Sequence, residues 1–428
     1  MTARQVLHGK WWLPTAPDQI ASGMLILGEA PKPRLELHER LIDFHTEDGP
    51  FTIHGESGGH KISLLTVYPT ESKVSMRGGS QYASQVFEVN FGALIGDSHI
   101  NDDDEPKFPR SVVEIDYLTF ISRDIDHSAT EQSPKPDGST DYAFTVTLND
   151  RRSGQFGGID VTTMPEASFS PAPEFQTAEM RIRATFKTYL RLDSAQPISS
   201  QQHVTAARQL SDLVTLAMHR PAEIRRISFD ASATPEPDWY DWWGAQPVAA
   251  DEPLDARTRQ NITFDLADVN LATLLPAWHA LNTNAVYGIQ SIIGLQRETS
   301  IFHETKLLGV CGALEALHRG LYPAHLTYRK RCEALARIPS SRAVERVIPD
   351  VTKWADYVTK ARNALAHGLE PSDRKVPEDV WFALHQPTLA VLILVLMAEL
   401  GLPDKVQVDA VTSGALVRAA RIGTTHLI

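Results

Sequence analysis

Apolar and polar positions alternate with period two through the first half of the chain and recur with a helical period through its last third. "GMLILGEAPKPRLEL" sets two apolar runs around a Pro-rich turn, with Leu35 and Leu37 alternating against Arg34 and Glu36. That is the pattern of strands buried on one face. "FTIHGESGGHKISLLTVY" repeats the plan around a Gly pair, and "SQVFEVNFGALIG", "VVEIDYLTFIS", "DYAFTVTLND" and "RIRATFKTYLRL" follow, separated by Gly, Pro and Asp clusters. Strands at this spacing predict a sandwich or a barrel. No fixed-period repeat is visible.

The period changes at "ISSQQHVTAARQLSDLVTLAM", where Val204, Ala207, Leu210, Leu213, Val214 and Ala217 fall at helical spacing. A Pro- and aromatic-rich stretch, "ATPEPDWYDWWGAQPVAADEP", reads as a connection. From Asn261 onward the pattern is helical, broken by Gly, Pro or Ser, and predicts about five or six helices, the size of one bundle. The expected organisation is α+β in two parts: a β-rich, sandwich-like domain over 1–200, a helical and Pro-aromatic connection over 201–261, and an all-α domain over 262–428. The most apolar run, "LAVLILVLMAEL" (Leu389 to Leu400), is too short to span a bilayer and reads as a buried core helix.

Composition adds bounds. Hydrophobic residues make up 42% of the 428 residues, enough for real cores. Two cysteines, Cys311 and Cys332, make no disulfide framework and suit a reducing cytosol. The opening "MTARQVLHGKWWLP" lacks the apolar core of a secretory signal. A net charge of −12 argues against a surface coated by nucleic acid. Locally the balance reverses: Arg297 to His367 carries 12 Lys and Arg against 7 Asp and Glu, an excess of +5.

Inside that basic stretch lies "KARNALAHG". The preceding helix should start at Asp350 as N-cap, run with Val351, Trp354, Ala355, Val358 and Leu365 as its apolar stripe, and stop at Gly368. Arg362 and His367 then sit five positions apart near its C-terminal end, about 140° around the axis. They converge more readily on a ligand held in a groove between helices, or between two copies of this helix. A His can move protons near neutral pH. An Arg offers a donor fork to a phosphate and to charge developing on it, and Asn363 can orient either. These are the parts needed for metal-independent RNA cleavage, in which the ribose 2′-hydroxyl attacks the adjacent phosphate and leaves a 2′,3′-cyclic phosphate and a 5′-hydroxyl. The same spacing also fits a surface helix that merely ends.

"ARNALAHG" resembles the R-N-x-x-x-H signature of the HEPN superfamily, which includes many bacterial defence and toxin ribonucleases. "FHETKLLGVCGALEALHR", "YRKRCEAL" and then the motif resemble the helix order of the HEPN domain of ApeA-type anti-phage proteins, and "HGKWWLPTAPDQIASGMLIL" followed by "FTIHGE" resembles the opening of the ApeA N-terminal domain. The resemblance touches both ends of most of the chain; about 70 to 260 is only compatible with it. It implies Arg362, Asn363 and His367 as the active-site set, Glu315 as an acidic support for Arg362, and a homodimer that faces two motifs across one cleft. It implies RNA, transfer RNA included, as partner, a phage-derived trigger acting through the N-terminal part, abortive infection as the outcome, and a cytoplasmic location. Arg329, Lys330 and Arg331 are candidates to guide an RNA backbone. Two rival classes stay open: a non-catalytic HEPN module that binds RNA or protein, and a ligand-binding sandwich with a helical dimerisation tail.

Other motifs read as structural. "HGESGGH" (His54 to His60) reads as a strand turn ahead of a metal site, and "NDDDE" (Asn101 to Glu105) as a solvated acidic loop. "DWYDWW" (Asp238 to Trp243) reads as aromatic packing at the domain junction. No Walker A loop, dinucleotide fingerprint or nucleophile elbow is present, so neither a cofactor nor a metal is expected.

Overall fold

The computed structural model describes residues 4–28, 32–42, 50–77, 80–100, 107–134, 140–172, 181–232, 238–244, 262–266, 269–298, 302–322, 325–368 and 376–427. In chain order the first half gives β1 (Gln5–Leu13), β2 (Ala16–Leu27), β3 (Arg34–Leu37), β4 (Phe51–Ser57), β5 (His60–Arg77), β6 (Ser80–Gly96), β7 (Lys107–Ile115), α1 (Leu118–Ser122), β8 (Ile125–Pro134), β9 (Thr140–Leu148), β10 (Ser153–Phe156), β11 (Ile159–Ala172) and β12 (Arg181–Ser199). Then come α2 (Ser200–Met218), β13 (Ile224–Asp230) and β14 (Trp239–Trp243). The rest is helical: α3 (Leu271–Asn284), α4 (Val286–Arg297), α5 (His303–Leu321), α6 (Tyr328–Leu335), α7 (Ser341–Val347), α8 (Val351–Ala366), α9 (Glu378–Ala383), α10 (His385–Glu399), α11 (Asp404–Thr412) and α12 (Val417–His426). None of the described helices is long and apolar enough to cross a membrane.

The chain divides into two compact units. The first draws on Met1–Asp116, Tyr189–Arg208 and Glu223–Pro253. Here β1 pairs with β2 and β4, β2 with β3, β3 with β6, β4 with β5, and β5 with β6, all antiparallel. The β5–β6 pairing closes the ring, so six strands form a barrel. Alternation alone suits sandwich and barrel equally; closure decides for the barrel and removes the free edges that a sandwich leaves. The register puts Leu25 opposite Leu35 and Leu35 opposite Phe87, and these fill the interior with Trp11, Ile53, Ile62, Leu64 and Val89, all fully buried. The β4–β5 hairpin turns on Gly58 and Gly59, both at positive φ (58° and 86°). Tight hairpin turns need such angles and glycine adopts them without a Cβ clash.

Beyond the barrel the last part of β6 pairs with β14, β14 with β13, β13 with β7, and β7 with β12. The aromatic segment is therefore a strand of this sheet, with Tyr240 and Trp242 buried in it. "VVEIDYLTFIS" also departs from a single strand. Tyr117, two residues past the end of β7, takes a left-handed conformation (φ 62°) and opens α1. "NDDDE" lies outside the described residues.

The second unit draws on Tyr117–Thr188, Gln209–Ala222 and Leu254–Ile428. Ten helices, α3 to α12, occupy its described C-terminal part, more than the five or six expected: one stretch read as a single helix is split, and α4, α7, α11 and α12 were not resolved by the sequence pattern. "VPEDVWFALHQPTLAVLILVLMAEL" becomes α9 and α10, joined at Leu384. Helix α10 is buried on all sides, Val391 to Met397 being fully covered. It contacts α4, α5, α7 and α12, and so forms the centre around which the unit packs. Trp354 of α8 is buried beside it and donates from Nε1 to Thr388 Oγ1 at 3.1 Å.

Candidate active site

Helix α8 carries the motif, and its ends follow local chemistry. Asp350 is the N-cap and accepts from the Lys353 amide at 2.9 Å, satisfying one of the amides that a helix start leaves open. Trp354, Ala355, Val358, Ala361 and Ala364 form the buried face. At the other end His367 is the C-cap and Gly368 follows at φ 60°, the left-handed residue that stops a helix.

Arg362 is held on three sides. Its Nη2 lies 3.7 Å from Glu315 Oε2 on α5. Its guanidinium sits over the Tyr328 ring of α6, 5.6 Å from the centroid, a cation–π arrangement. Its Nη1 donates to Asn363 Oδ1 at 3.3 Å. Tyr328 is fixed in turn, donating its hydroxyl to the Cys311 carbonyl at 3.0 Å, and burial pushes its phenol far above the usual range. The Arg362 side chain remains 38% exposed, so the clamp orients the fork without covering it.

Glu315 is a hub. Its Oε1 accepts from Arg319 Nη2 at 2.7 Å and from Arg331 Nη1 at 3.0 Å, while Oε2 faces Arg362. Three guanidinium groups against one carboxylate leave a local charge of +2 (3 − 1). Arg331 is buried and also donates from Nε to the Leu326 carbonyl at 3.0 Å. That placement uses its Nε and Nη1 inside the fold and favours internal support over an RNA-backbone contact for Arg331. Lys330 is exposed. Arg329 is exposed as well and is shared between Glu333 at 3.3 Å and Asp356 at 3.9 Å. Arg319 and Tyr328 were not singled out from the sequence. Arg319 carried a usable signal, being four positions after Glu315.

His367 is exposed, and its backbone amide donates to the Asn363 carbonyl at 3.1 Å. Among the contacts of the described residues its ring bonds neither Arg362 nor Glu315. Next to the motif, burial pushes the Cys311 thiol up to about 11 and raises Cys332 further, which disfavours the nucleophilic thiolate of either. His318, one turn after Glu315 on α5, is buried, and burial and then Arg331 push it below the ordinary imidazole range.

A family model described as ApeA N-terminal domain 1 matches residues 7–278, and one described as Apea-like HEPN matches residues 269–406. The chain belongs to the ApeA family. It is an ApeA-like protein with a C-terminal HEPN domain, and Arg362, Asn363, His367 and Glu315 all lie within the HEPN match. Neither the curated proteins nor the solved structures contain a match. The ApeA match runs through β14 and into α3, and the HEPN match ends at 406, before α12.

Proposed function

We propose that this ApeA-family protein is a metal-independent endoribonuclease of anti-phage defence, acting through abortive infection. The observation that carries the reading is the clamped Arg362: a guanidinium oriented by Glu315 and Tyr328, left open to solvent, five residues before an exposed His. Such a fork can bind the scissile phosphate and stabilise charge building on its oxygens. Cleavage needs a base to take the 2′-hydroxyl proton and an acid to protonate the departing 5′-oxygen. The attacking oxygen forms the new P–O bond as the P–O5′ bond breaks, giving a 2′,3′-cyclic phosphate and a 5′-hydroxyl. A homodimer facing two motifs across one cleft supplies both groups, one His367 acting as base and the other as acid. Asn363 orients Arg362, and exposed Lys330 and Arg329 guide the RNA strand, transfer RNA being one substrate class. The N-terminal unit holds the nuclease in check until a phage-derived trigger arrives in the cytoplasm.

The test is RNA isolated from phage-challenged cells that express wild type, Arg362→Ala or His367→Ala. Fragments ending in 2′,3′-cyclic phosphate are expected from wild type alone, with each variant reduced at least about a hundredfold. Protection that persists in both variants without fragments would establish the non-catalytic binding module instead.

A further inference from the structure

The second unit contains a cavity of about 420 Å³ away from the motif residues, built where α4, α5, α10, the start of α12 and the end of α2 meet. Its polar lining is one-signed. Lys306 comes from α5, His385 and Gln386 from α10, Arg418 from α12 and His219 from the turn after α2. No Asp or Glu is among the described residues that line it. Leu295, Val310 and Leu389 supply an apolar wall.

The surroundings are arranged around this charge. His385 donates from Nδ1 to the Phe382 carbonyl at 3.2 Å, and its ring lies 5.3 Å from that of His303. Burial, and then His303, Lys306 and Arg418, push its pKa down to about 4, so it stays neutral beside the two cations. His219 is held at φ 52°, a left-handed conformation uncommon for a residue with a side chain, and its Nδ1 meets Gln296 Nε2 at 3.0 Å. Burial likewise brings it to about 4. Helix α12 begins at the cavity wall with no side chain capping its start, and first-turn amides favour an anion.

We propose that this cavity is a binding site for a small organic phosphate, with the phosphoryl group between Lys306 and Arg418 and the apolar body against Leu295, Val310 and Leu389. Two cations, a half-buried Lys306 and an exposed Arg418, match a dianion, which a phosphate monoester is near neutral pH and a carboxylate is not. The volume lies in the range of small-molecule sites. The site is independent of the nuclease reading: Arg418 lies beyond the HEPN match, and none of the residues named here belongs to the motif.

Calorimetric titration of the full chain with phenyl phosphate, inorganic phosphate and benzoate tests it. Phenyl phosphate is expected to bind most tightly, inorganic phosphate more weakly for want of the apolar body, and benzoate at least about tenfold more weakly for want of the second charge. Lys306→Ala and Arg418→Ala should each weaken phenyl phosphate by about tenfold or more, with thermal unfolding unchanged as the control for folding. No binding of phenyl phosphate up to about 10 mM, a free energy of only a few kcal/mol, would overturn the proposal. So would equal binding of benzoate, or a Lys306→Ala/Arg418→Ala double variant that binds as wild type does.

Discussion

The helical unit holds its cations in two opposite ways. Around the motif every described guanidinium has an acidic or aromatic partner: Glu315 gathers Arg319, Arg331 and Arg362, and Tyr328 backs Arg362. Around the cavity Lys306 and Arg418 share the lining with the neutral His385 instead, with no carboxylate among the described lining residues. A tethered Arg has its direction fixed before a substrate comes, which suits a group that must meet developing charge. Cations without a carboxylate keep their field for a guest. The difference teaches that a basic count along the sequence says little; the position of the single carboxylate separates the two uses.

Removing that carboxylate should have the largest effect. Glu315→Ala leaves Arg331 buried without its anion, and unfolding in urea should show a loss of about 3 kcal/mol. Lys306→Ala removes a cation that has no carboxylate beside it among the described lining residues, and its stability should stay within about 0.5 kcal/mol of wild type. A Glu315→Leu/Arg331→Met double variant should recover much of the loss, because neither charge is then stranded. It would still lack the Arg362 tether, so RNA cleavage should stay low in a stable protein. Equal losses for Glu315→Ala and Lys306→Ala would break the contrast.

The cavity should also be acid-sensitive. His385 and His219 titrate near 4 in the folded protein against 6.5 as the ordinary value. Their folded values lie below the unfolded ones, so the folded state binds fewer protons between them. Their contribution to stability is therefore full above about pH 6.5 and is lost as the pH falls toward 4. His99 of the barrel, also brought to about 4 by burial, titrates in the same window. The measure is thus the difference made by His385→Asn. Wild type should lose more in melting temperature between pH 7 and pH 5 than the variant does. Identical losses would mean that His385 is not the group that titrates.

Much of α8 is legible in the sequence because its signals are local: Asp350 caps, Trp354 and Val358 face inward, and Gly368 stops it. The strands are legible for the same reason, through alternation. What joins them is not. β14 pairs with β6 across Asp241 and Ile95, a separation that no period records, so an aromatic strand reads as a connection. Arg362 and Glu315 lie 47 positions apart, and only a resemblance brings Glu315 forward. The cavity escapes altogether: His219 and Arg418 come from distant turns of the chain, each an ordinary residue where it stands.

Arg319→Ala should have the smallest effect, and it sharpens the comparison most finely. Arg319 bonds the same Glu315 oxygen as Arg331 does, at a shorter distance, yet its side chain is 66% exposed against 11% for Arg331. Water competes for an exposed i,i+4 pair, and ordering a long side chain costs entropy, so its removal should change stability by no more than about 0.5 kcal/mol. Arg331 still anchors Glu315, so Arg362 keeps its direction and the cleavage rate should hold. If stability holds while RNA binding weakens, Arg319 itself touches the strand. The slope of log affinity against log salt would then fall by about one phosphate's worth. Such a result would move Arg319 from the tethered set to the open one, with exposure rather than the presence of a partner dividing the two.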